Sequence, residues 1–221
     1  MNDLTDMLAA GLGDTLYMTG LAAGIGLLLG VPLGVILAVT ARGHVLESPH
    51  VNTGLGAVVN TVRSFPSLIL IIALLPLSRL VVGTTLGPTA ALVPLSVEMA
   101  PFIARIVEAA LKGVDRGKVE AALSMGAGPG TVVFKVLIPE ALPALVRGTT
   151  LIVISTLGLT AIAGCIGAGG LGSLAIRYGY QRFRTDVMVA TVAVLIALVS
   201  VIQLTGNQVA KAMSRRRHVY E

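Results

Sequence analysis

The sequence predicts an all-α, polytopic membrane protein with five transmembrane helices, and three observations carry that prediction. The 221-residue chain is 55% hydrophobic and only 12% charged, with a mean hydropathy of +0.90. It contains five apolar stretches, each long enough to cross a bilayer. Its basic residues collect in alternate connections. An ordinary soluble domain carries about 25% charged residues, so this chain lacks the polar surface to clothe a water-soluble core of its size. The single cysteine, Cys165, lies in an apolar stretch and permits no intrachain disulfide.

Crossing about 30 Å of hydrocarbon takes about 20 apolar residues, and residues 15–39, 53–76, 86–111, 141–165 and 186–206 meet that requirement. The first stretch follows Asp3, Asp6 and Asp14, with no Lys or Arg before Arg42. It therefore lacks the basic flank of a signal peptide, and we read it as a retained span preceded by an outer segment, 1–14. In the second, "VRSFPSLILI" places Arg63 three residues before Pro66, which predicts a bend there with Arg63 turned to protein or inner headgroups. The third contains Glu98 and, seven residues later, Arg105. Two helical turns separate them on one face, suggesting a shared polar seam that serves either bundle packing or a transport path. The fourth runs into "GAGGLG", Gly167 to Gly172. That string matches a dinucleotide-binding glycine pattern, but it follows a long apolar run where the nucleotide fold needs a short strand. It reads as a tight outer turn or re-entrant dip.

With the N-terminus outside, the inner segments 40–52, 112–140 and 207–221 hold nine basic residues and the outer ones hold four. Basic residues favour the cytoplasmic side, so the N-terminus is expected outside and the C-terminus inside. Residues 15–210 then form the membrane domain, and the basic tail 211–221 rests on anionic lipid. The formal charge of +5 thus calls for no nucleic acid.

The chain has no phosphate-binding Gly-x-x-x-x-Gly-Lys-[Ser/Thr] loop, and His44, His50 and His218 are scattered rather than grouped like metal ligands. No serine nucleophile or HExxH helix is present either. We therefore expect no catalytic site, metal or cofactor, and expect any ATP hydrolysis to occur on another subunit.

The polar segment 112–140 predicts two short helices at an angle. Asp115 stands at the expected start of the first and Gly126 at its end. The second begins after Pro129 and is expected to stop near Pro139. Read from periodicity, such an elbow is either a solvated amphipathic connector or a dock for a partner's cleft. Its residues tip the balance. "EAALSMGAGPGTVVFKVLIP" resembles the EAA signature of bacterial ABC-importer membrane subunits. Glu120, Ala121, Ala122 and Gly126 are followed, after nine residues, by Val136, Ile138 and Pro139 where Ile, Leu and Pro are usual. "VRSFPSLILI", "KVLIPEALPAL" and "GAGGLGSLAIRYGY" further resemble the methionine-importer permeases over about residues 17–210.

The resemblance implies the type I ABC importer permease fold, in a bacterial cytoplasmic membrane. It also implies a second copy of the chain, two cytoplasmic P-loop ATPase subunits and an extracytoplasmic methionine-binding protein as partners. Glu120, Ala121, Ala122, Gly126 and Pro139 would couple to the ATPase, and Arg63, Pro66, Glu98 and Arg105 would shape the transport path or gate. Met99, Phe102, Ile103, Leu159 and Met188 are candidate apolar walls for methionine. A permease for another amino acid or small peptide, an ion-coupled carrier and a passive assembly subunit are the competing readings. An ion-coupled carrier usually needs intramembrane acids or related halves, and Glu98 is the acid that stands out for such a role.

Overall fold

The computed structural model describes residues 2–217, with side chains described for 4–211, and every regular element among them is helical. Four stretches, Leu4–Val39, Pro88–Lys112, Pro129–Gly164 and Thr185–Lys211, are long and apolar enough to cross a membrane, and a sharply bent helix pair, Pro49–Ser64 with Ser67–Ala73, meets the same requirement when taken as one span.

Helix α1 (Asn2–Val39) starts well before the predicted span, so residues 2–14 are its first turns. It packs along α5 (Pro88–Lys112) with Gly26, Gly30 and Gly34 at four-residue intervals in the seam. A Cβ on Gly30 would lie 2.5 Å from the Ala100 carbonyl oxygen, and one on Gly34 would lie 2.6 Å from that of Ala104. Small residues at this spacing bring two helix backbones together where apolar lipid gives little reason for helices to associate. Met99, Ile103, Val107 and Leu111 of α5 are buried in the core beside this seam.

The second span is not the continuous helix expected over 53–76. α2 (Pro49–Ser64) and α3 (Ser67–Ala73) meet at 100°, and α4 (Leu75–Val82) restarts behind Pro76. The break follows from Pro66, whose ring drives the preceding Phe65 out of the helical region to ψ 137°.

After α5, α6 (Arg116–Ser124) is followed by α7 (Pro129–Val132), a wide π-helical turn (Val133–Leu137) and α8 (Ile138–Gly164). The helix that begins at Pro129 therefore does not stop at Pro139. The π turn shifts the hydrogen-bond register just before the proline, with the Ile138 amide donating five residues back to Val133. Pro139 thus enters α8 at a first-turn position, where its missing N–H breaks no ladder.

At the opposite end, the Gly167–Gly172 string is a tight turn, with φ of +94° at Gly167 and +87° at Gly169. It leads to α9 (Gly170–Leu174), where the Leu171 amide donates to the Thr15 hydroxyl of α1 at 2.9 Å. A second π turn (Ala175–Tyr180) precedes α10 (Thr185–Arg217), which packs on α8 and leaves most of its apolar surface outward. Tyr180 and Phe183 are exposed, and the Arg182 guanidinium lies over the Tyr178 ring at 4.7 Å. Of the tail 211–221, residues 218–221 lie outside the described residues.

Candidate functional sites: the elbow and the cavity at the helix bend

The elbow is held rigidly from within. Asp115 caps α6 by accepting the Gly117 amide at 2.6 Å. The helix ends in a Schellman turn, in which Gly126 takes φ +80°, its amide donates to Leu123 and the Ala127 amide donates to Ala122. A side chain at Gly126 would strain that turn, although nothing crowds the site. Lys118 pairs with Glu140 at 3.0 Å and so ties α6 to the first turn of α8.

The five predicted coupling residues separate by face. Glu120, Ala121 and Gly126 are exposed, and beside them Leu123, Met125 and Phe134 present unusually exposed apolar surface, Met125 at 82% and Phe134 at 72%. Ala122 faces the other way and joins the core cluster containing Val132, Val133 and Leu137. Its small side chain serves close approach within the elbow itself. Pro139 is half-buried at the junction with α8. Near the base of α6, burial together with Lys112 and Arg116 holds the His44 imidazole pKa below its usual value.

The second site lies where α2 breaks. A cavity of about 420 Å³ opens between the bend, α5 and α8, and Arg63, Ser67, Glu98, Met99, Phe102, Ser155 and Leu159 are among its lining. Two predicted path residues, Arg63 and Glu98, and three predicted wall residues, Met99, Phe102 and Leu159, meet there. Pro66 makes the bend that shapes it. Ile103 is instead fully buried in the α1–α5 core, and Met188 packs beside Gly179.

Arg105 does not join Glu98. Its guanidinium reaches α2, donating to Asn60 Oδ1 at 2.7 Å and to the Gly56 carbonyl at 3.3 Å, and it also pairs with Glu108. Lys112 holds the other Glu108 oxygen at 2.6 Å. The expected seam along α5 thus contains a charge ladder, Arg105–Glu108–Lys112, centred on the buried Glu108, which the conspicuous Glu98–Arg105 interval does not announce. The three- and four-residue spacing in "RIVEAALK" was the available signal. No group of His, Cys, Asp and Glu among the described residues is arranged to hold a metal ion.

Comparison with known proteins finds relatives over nearly the whole chain. Residues 30–219 match the model of a family described as "Binding-protein-dependent transport system inner membrane component". The chain is 49% identical to the Bacillus subtilis "Methionine import system permease protein MetP", over 97% of this chain and 96% of the relative. It is 45% identical to the Vibrio cholerae "Probable D-methionine transport system permease protein MetI", over 96% of this chain and 94% of the relative. A solved structure of inward-facing conformations of the MetNI methionine ABC transporter superimposes with a TM-score of 0.94 at 40% identity, over 96% of this chain and 99% of the other. The chain belongs to the family of binding-protein-dependent transport system inner membrane components.

Proposed function

We propose that the chain is the membrane subunit of an ATP-driven methionine importer in the bacterial cytoplasmic membrane. One observation carries the reading: near-complete alignment with methionine permeases, matched by a TM-score of 0.94 to a methionine ABC transporter. The elbow gives it a physical basis, because a capped short helix with exposed Leu123, Met125 and Phe134 is a surface built to be covered.

Two copies of the chain pair in the membrane with two ATPase subunits inside and a methionine-binding protein outside. ATP binding draws the ATPase subunits together and moves the elbows, and hydrolysis lets them return. This subunit makes and breaks no covalent bond. Its part is a two-state element biased from both membrane faces, as coupling requires. Glu120 and Ala121 contact the ATPase, Gly126 sets the exit turn, Ala122 fixes the elbow's inner packing and Pro139 joins it to α8. Arg63, Pro66 and Glu98 shape the path, while Arg105 braces α2 against α5. The N-terminus faces outward and the C-terminus inward, following the basic-residue bias.

The test is uptake in vesicles containing the permease–ATPase complex, its native binding protein and internal ATP. Labelled methionine should accumulate, and unlabelled methionine should compete far better than histidine, arginine or glutamate. Accumulation without ATP would make the protein a secondary carrier. Stronger competition by another amino acid would keep the mechanism and replace the substrate.

A further inference from the structure

Helix α5 carries two acids that face α2 and α3, and their surroundings are opposite. Glu108 is met on both oxygens, by Arg105 and Lys112. Glu98 is not: the Ser67 hydroxyl is its one side-chain hydrogen-bond partner, and its Oε2 is shielded from solvent with no hydrogen-bond partner among the described residues. Glu98 sits ten residues into α5, about 15 Å from its outer end, near mid-membrane depth, where a carboxylate without a counter-charge is costly. Helix packing gives no reason for placing a charge there.

The cavity supplies one. Arg63 lines the same space with the opposite charge, and no ion pair joins it to Glu98 among the described residues. The two charges are held apart across a space of about 420 Å³, within the range of about 300–1,000 Å³ usual for small-molecule sites. Met99, Phe102 and Leu159 complete an apolar wall beside them. A ligand that completes this arrangement carries an ammonium group, a carboxylate and an apolar chain.

We infer that the cavity at the α2–α3 bend is a subsite for an α-amino acid zwitterion, in which Glu98 accepts hydrogen bonds from the ammonium group and Arg63 donates to the carboxylate. Met99, Phe102 and Leu159 hold the apolar side chain. The inference rests on the importer reading and adds to it a point within the membrane where the substrate's head group is recognised. A guanidinium suits a carboxylate through its paired donors, and binding near mid-membrane is where an alternating-access path needs it. The site must also release its cargo, so its affinity is modest.

The purified permease–ATPase complex, without binding protein, is titrated with labelled L-methionine and with two competitors, 4-(methylthio)butanoate, which lacks the ammonium group, and 3-(methylthio)propylamine, which lacks the carboxylate. Wild type should prefer methionine to both. Glu98→Gln should weaken methionine about tenfold or more and leave 4-(methylthio)butanoate unchanged. Arg63→Gln should weaken methionine and the butanoate while leaving the amine unchanged. Because Arg63 is exposed, its variant tests the subsite even where Glu98→Gln fails to assemble. Wild-type affinities in both variants, equal losses for all three compounds, or no methionine binding by wild type at millimolar concentration would each overturn the subsite. Vesicle uptake by the wild-type system is measured in parallel. Failure to accumulate methionine there overturns the importer reading, whereas normal uptake with unchanged variant profiles overturns only the subsite.

Discussion

Along its α1-facing side α5 meets glycines, and along the side facing α2 and α3 it meets charges, a broken helix and a cavity. The first contact is backbone against backbone, with Gly26, Gly30 and Gly34 leaving no room for a Cβ. The second depends on side-chain partners, Asn60 with Arg105 and Glu108 between Arg105 and Lys112, and it opens into the space beside Glu98. Close-packed backbones resist rearrangement, whereas polar contacts at a bend can exchange partners. In this account α1 and α5 move as one body, and the bend and the elbow are where ATPase motion becomes a change of path.

Filling the glycine seam should have the largest effect. Gly30→Leu drives a side chain into the Ala100 carbonyl and Ile103, and we expect a cost at or above about 3 kcal/mol, seen as loss of monodisperse protein in mild detergent. A Gly30→Leu chain that purifies and melts like wild type would break the distinction between the two sides. At the elbow, Glu120→Lys should leave the amount of membrane-inserted protein unchanged and lower transport about fivefold to a hundredfold, the usual span of a coupling energy. Uptake per unit of inserted protein measures it.

On the charged side, Glu108→Gln leaves Arg105 and Lys112 facing each other without their shared anion and should cost about 1–3 kcal/mol, read as a lower melting temperature of the detergent-solubilised complex. Lys118→Ala removes the half-exposed pair with Glu140 and should cost less than about 1 kcal/mol, with the loss shrinking further in high salt. The smallest effect is expected at His44. The fold keeps this imidazole neutral to lower pH than the unfolded chain does, so stability should fall slightly as pH drops below about 6.5. His44→Gln should remove that part of the pH dependence and leave stability above pH 7 nearly unchanged.

Hydropathy made the spans legible because a bilayer imposes length and composition segment by segment. Pro66 announced a bend, but the 100° angle comes from how α3 settles on α5 and α8, which no local pattern encodes. The elbow's first helix was readable from Asp115 and Gly126. Its second was misjudged at Pro139, because a π turn is set by register and leaves no residue signature of its own. Arg63 and Glu98 stood out as charges in apolar stretches. Their common cavity did not, since α2, α3, α5 and α8 build it from positions as far apart as Val62 and Leu159. Glu108 illustrates the reverse case, where a local spacing held the answer and the more conspicuous Glu98–Arg105 interval drew attention from it.

The central claim, that the elbow carries ATPase motion to the membrane path, is tested most directly by measuring ATP hydrolysis and methionine accumulation in the same vesicles for wild type and Gly126→Pro. Proline cannot adopt the φ of +80° that Gly126 takes in the Schellman turn, so the exit of α6 must change while the spans stay intact. The account predicts that wild-type vesicles couple the two activities, and that the variant, inserted to the same level, hydrolyses ATP without accumulating methionine or fails to retain the ATPase. Wild-type accumulation per ATP hydrolysed by Gly126→Pro would contradict it.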